Sequence, residues 1–150
     1  MTLRFKLQFV AVADDGAETT EDIGVLDKDH ECQEQLGLTL AEGKQLLREI
    51  QRRVLERQVA AFLSVETACP KCGRQRGTKD HKVLSLRTLF GKMTLQSARL
   101  RRCCRQPGES ASVSPLSRLL SERSTPELRY LETRWASLVS YGLTVKAQDR

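Results

Sequence analysis

Residues 4–12 alternate, with Phe5, Leu7 and Phe9 on one side and Lys6 and Gln8 on the other. That is the two-residue period of a half-buried strand. Asp14-Asp15-Gly16 is a turn signal and residues 23–26 supply a return strand, so the front of the chain predicts a β-hairpin. Two strands alone are marginal in water and need something to pack on. The period then changes. Thr39-Leu40-Ala41-Glu42 reads as a capping box, in which hydroxyl and carboxylate satisfy the free amides of a helix start. Leu40, Leu47, Ile50, Val54 and Ala61, with Leu46 and Phe62 beside them, predict one amphipathic helix over 40–63. Its stripe reads as core or dimer contact, with Gln51, Arg52, Arg53, Glu56 and Arg57 on the wet side.

A second alternating stretch covers 83–90, with Leu84, Leu86 and Phe90 on one face. Gly91-Lys92 as a turn and a return over 93–102 complete a second predicted hairpin. Residues 107–124 carry Pro107, Gly108, Pro115 and six serines, which reads as a linker. Thr125-Pro126-Glu127 starts a helix cleanly: a cap, a proline at the first position, an acid in the first turn. Leu128, Leu131, Trp135, Leu138 and Val139 form its stripe, Gly142 is a natural stop, and Thr144 reads as the cap of a further helix. The expected organisation is α+β. Residues 1–65 form a hairpin and long helix, 66–106 a ribbon-like basic module, 107–124 a linker, and 125–150 the start of a helix-turn-helix.

Charge sharpens this division. The chain has 25 Lys/Arg against 19 Asp/Glu, giving a formal charge of +6 over 150 residues. Residues 1–50 hold 5 basic and 11 acidic side chains, whereas 51–150 hold 20 and 8. Between residues 71 and 105 eleven Lys/Arg face a single acid, Asp80. Such a density repels itself unless a polyanion is near, which points to nucleic acid. The alternative is a solvated basic scaffold in a stand-alone interaction protein whose acidic front recruits a partner. Hydrophobic residues are only 39% of the chain and aromatics 5%, and no apolar run approaches the roughly 20 residues of a membrane span. The N-terminus lacks a signal-peptide core, so a cytoplasmic, nucleoid-associated protein with reduced thiols is expected.

The chemistry-bearing motif is Cys69-Pro70-Lys71-Cys72-Gly73, a knuckle in which a tight turn brings two thiolates to about 2.3 Å from one zinc ion. Cys103 and Cys104 follow beyond the second hairpin, and the combination describes a ribbon held by a structural zinc ion. Adjacent cysteines on an extended strand point opposite ways, so either the chain bends there or His81 provides the fourth ligand. Cys32 and His30 lie in an acidic loop and are read as incidental. Lys71, Arg74, Arg76, Lys79, Arg99, Arg101, Arg102 and Arg105 would ring the metal end with cations for DNA phosphates. Aromatics are not interleaved among them, which argues against single-strand stacking.

Several motifs together resemble one bacterial family: the knuckle, Lys79-Asp80-His81, Arg87-Thr88-Leu89-Phe90-Gly91, Arg101-Arg102-Cys103, Val113-Ser114-Pro115-Leu116, and Thr125-Pro126-Glu127-Leu128. The longest is Tyr130-Leu131-Glu132-Thr133-Arg134-Trp135-Ala136-Ser137-Leu138-Val139-Ser140-Tyr141-Gly142-Leu143-Thr144, and Leu36-Gly37-Leu38-Thr39-Leu40-Ala41-Glu42 extends the match forward. The chain resembles the N-terminal region of transposases of the Kra-type insertion-sequence family. The resemblance implies a cysteine-rich part that binds double-stranded DNA at terminal inverted repeats, a helix-turn-helix, and a downstream RNase H-like catalytic domain. Two departures stand out. Cys103 and Cys104 touch where the family pattern implies an intervening residue, and the chain reaches Arg150 as the second helix begins. No catalytic residue is therefore assigned; Glu127 and Glu132 read as cap and surface acids, and a non-functional transposase remnant stands beside the interaction protein as an alternative. A homodimer through the 39–63 helix is expected, as is the absence of a membrane partner.

Overall fold

The computed structural model describes residues 2–29, 31, 33–104 and 107–138. They form two compact units, Met1–Gln58 and Val59–Arg150. The architecture is mixed α+β. Among the described residues no helix is long and apolar enough to cross a membrane.

In the first unit, strands β1 (Thr2–Val12) and β2 (Glu18–Asp29) pair antiparallel, setting Phe5 against Leu26 and Leu7 against Gly24. Asp14-Asp15-Gly16 makes the expected turn. Gly16 takes φ +83, a value that costs a residue without Cβ little, and the Asp15 carboxylate accepts from the Ala17 N–H at 2.9 Å. Helix α1 (Leu40–Glu66) begins where the capping box places it and outruns the predicted end by three residues. The Glu42 N–H donates to Thr39 Oγ1, while the Thr39 N–H and hydroxyl both donate to Glu42 Oε2 at 2.8 Å.

The wet face of α1 does more than meet solvent. Arg53 and Arg57 both donate to Glu21 of β2, and Lys28 Nζ reaches Glu42. The apolar stripe is not a core: no residue of α1 is buried, and Leu47 remains 44% exposed. Phe5 and Val25 of the hairpin are also exposed.

Hydrogen bonds from Lys28 and Thr39 hold the Glu42 carboxyl down to about 2. A folded-state value below the ordinary one stabilises the fold above the ordinary carboxylate range. That contribution fades as pH falls through about 2. Glu42→Gln is accordingly expected to weaken folding at pH 7 and to match the parent chain near pH 2. Denaturant melts at both values check it, and an equal penalty at the two would contradict it.

The second unit is built on β3 (Thr78–Thr88) and β4 (Gly91–Arg101), paired antiparallel, with β5 (Ser112–Val113) added along β4. Leu84 and Leu86 of β3 and Met93 and Leu95 of β4 are buried, as alternation dictates. Each contributes about 1.5–3 kcal/mol of transfer free energy. The turn falls two positions earlier than expected. Leu89 and Phe90 form it, Gly91 opens β4 at φ +112, and Thr88 Oγ1 donates to the Gly91 carbonyl at 2.8 Å. Phe90 consequently sits in the turn rather than on the Leu84 face.

The predicted linker is different in the structure. Within it lie β5 and the short helix α2 (Pro115–Leu119), and Leu116 is completely buried. Ser114 caps α2 by accepting from the Ser117 N–H, and its hydroxyl meets that of buried Ser97 of β4 at 2.7 Å. Serine-rich composition signalled flexibility, but one of those serines is a cap and one leucine fills the core. Helix α3 (Pro126–Leu138) starts at the expected proline, yet buries nothing, and Trp135 is 52% exposed. Val139, the Gly142 stop and the second helix of the expected helix-turn-helix lie outside the described residues.

Candidate metal centre

The knuckle is assembled by backbone hydrogen bonds that fold residues 67–76 back on themselves. The Cys69 N–H donates to the Arg74 carbonyl at 2.9 Å, and the Gly73 N–H donates to the Cys69 carbonyl at 2.8 Å. Gly73 adopts φ +70, which a side chain would strain. Ala68 and Gln75 form an antiparallel bridge that closes the loop. The Arg101 N–H reaches the Gly77 carbonyl at 2.9 Å, tying the end of β4 to the base of the knuckle.

The adjacent cysteines are reconciled by the chain's path. Strand β4 ends at Arg101, and the Arg102 N–H donates to the Ala111 carbonyl at 3.0 Å, so Cys103 and Cys104 lie beyond the extended backbone. Both sulfurs turn to the same place. Cys103 Sγ stands 3.4 Å from Cys72 Sγ and 4.0 Å from Cys104 Sγ. All four sulfurs of Cys69, Cys72, Cys103 and Cys104 lie within 4.8 Å of one another. His81 stays in mid-strand, paired with Ala98 and exposed, outside this cluster.

These separations fit a metal ion. A tetrahedron with metal–sulfur bonds of about 2.3 Å has sulfur–sulfur edges of about 3.8 Å. Four soft thiolates suit zinc and similar soft or borderline ions over magnesium or calcium. The protonation chemistry agrees. N–H groups of Cys72 and Lys71 aim at the Cys69 sulfur and hold its thiol down to about 6. Cys104 is pushed up to about 12, chiefly by its hydrogen bond to the Cys72 sulfur, and Cys103 is raised by the sulfurs of Cys69 and Cys72. Four negative sulfurs cannot share so small a space without a cation. A divalent ion displaces the remaining protons, so its affinity weakens as pH falls.

Seven of the eight cations assigned from sequence lie among the described residues and divide into three groups. Lys71, Arg74, Lys79 and Arg101 are exposed and have no carboxylate partner among the described residues. Arg99 pairs with Asp80 at 2.9 Å and Arg102 with Glu109 at 3.3 Å. Arg76 has its side chain only 8% exposed and donates to the Glu66 carbonyl, so it braces the knuckle against the end of α1. Arg105, like Cys32 and His30, lies outside the described residues. Glu132 pairs with Arg87 at 2.7 Å and Glu127 sits in the first turn of α3, consistent with structural roles for both acids. Sequence reading missed the bracing role of Arg76 and the Ser114-Pro115 cap, although serine before proline is a helix-start signal.

Neither a protein-family model, nor a curated protein, nor a solved structure matches the chain.

Proposed function

We propose that the chain is the DNA-binding N-terminal part of a Kra-type insertion-sequence transposase, built around a structural zinc ion. The observation that supports this reading most is the convergence of four thiols at one end of the β3–β4 hairpin, beside four cations without a carboxylate partner among the described residues. Zinc holds the knuckle to the end of β4 where the small core gives little support. Lys71, Arg74, Lys79 and Arg101 then meet the phosphates of double-stranded DNA at the element's terminal inverted repeats. A second copy packs against residues 39–63, whose apolar positions α1 leaves unburied.

Titrating a labelled terminal-repeat duplex at several salt concentrations tests this. Each phosphate contact contributes about −0.9 to the slope of log affinity against log salt, so the four contacts at the cysteine end contribute about −3.6. A preference for the terminal repeat over scrambled duplex is also expected. A flat salt response, or no binding at low salt, would contradict the reading and favour a protein-interaction module.

A further inference from the structure

A second basic surface lies away from the cysteines. The segment after α2 covers the outer edge of β3 only locally: the Arg87 N–H donates to the Arg123 carbonyl at 2.7 Å, and the Thr125 N–H donates to the Arg87 carbonyl at 2.9 Å. Upstream of Arg87 that edge borders a groove of about 400 Å³, floored by residues 82–85. In an antiparallel pair, outward and inward backbone groups alternate. Since Arg87 turns its N–H outward, Ser85 and Val83 do the same, and their amides face the groove. Lys82, Arg87, Lys92 and Arg123 line it, and no carboxylate does. Arg87 is paired with Glu132, but Lys82, Lys92 and Arg123 have no carboxylate partner among the described residues.

We propose that this groove is a second phosphate-contact surface, taking the backbone of double-stranded DNA; it rests on the DNA-binding reading above. Three unneutralised cations and outward amides over an apolar floor complement phosphates joined by sugars. Lys92 and Arg101 stand nine residues apart on β4, an odd spacing that sets their side chains on opposite faces of the strand, so the groove and the cysteine end are separate contact surfaces.

The test compares two variants of the full chain on a labelled duplex of about 21 base pairs, two turns. One is K82A/K92A/R123A at the groove and the other is K71A/R74A/K79A/R101A at the cysteine end. The groove variant is expected to lose about 2.7 from the salt slope, at about 0.9 per contact, and at least tenfold in affinity. Its thermal transition should be unchanged because all three side chains are exposed. The charge-keeping K82R/K92R/R123K variant is expected to retain the slope, separating charge from shape. A groove variant that binds like the parent, while the cysteine-end variant is impaired, overturns the groove and leaves the DNA reading standing. A parent chain that binds no DNA overturns both.

Discussion

Cys69→Ser is expected to cost the Val59–Arg150 unit both its metal and its cooperative unfolding transition. Cys69 is the buried member of the cluster and receives the knuckle's amides, so its loss removes one thiolate and orphans the donors around it. Structural zinc sites of this type carry apparent binding free energies on the order of 10 kcal/mol at neutral pH, which in such small modules is folding free energy. The remaining core is a handful of leucines and a methionine on one hairpin face. Thermal melts followed by circular dichroism should turn from a sigmoid into a gradual slope, and DNA binding should vanish with it. His81→Ala, outside the cluster, should leave the melt unchanged. A Cys69→Ser chain that melts as sharply as the parent would show that the hairpin folds without the ion.

The second large effect concerns the segment whose composition reads as a linker. Leu116 is fully buried and sits on the one-turn helix that Ser114 and Pro115 start. Leu116→Ala leaves a cavity that a small three-stranded sheet collapses around poorly, and should destabilise the unit by about 2–5 kcal/mol. For a unit of this size that lowers the melting temperature by roughly 8–40 °C. Leu119, in the same helix but 55% exposed, serves as the control, and its replacement by Ala should change stability by about 0.5 kcal/mol or less. Equal effects at the two positions would mean that α2 does not dock on β4 as described.

These two residues mark the limits of what could be read along the chain. Both hairpins, the start of α1 and the start of α3 were legible because strand alternation, the Thr39/Glu42 box and Pro126 act over neighbouring residues. The four cysteines were legible as one candidate site, but the choice between Cys104 and His81 as its fourth member was not. It depends on β4 ending at Arg101 and on the Arg102–Ala111 hydrogen bond, a contact made across a loop. Leu116 escaped for the same reason: burial is a property of what the chain returns to, and five residues are too few for a helical period to show. The apolar stripe of α1 was read as core or dimer contact, and within the chain it is not core. Its period is real, but Glu21 of β2 takes Arg53 and Arg57 from the polar side, leaving leucines unburied.

Whether Cys69, Cys72, Cys103 and Cys104 hold one metal ion together is read directly by native mass spectrometry of the full chain purified without chelators, at neutral pH and after acidification, with Cys69→Ser alongside. One zinc per parent chain is expected, released on acidification together with the fold of the second unit, and none on the variant. A parent chain without metal, whose four thiols all alkylate freely while the chain stays folded, would contradict it.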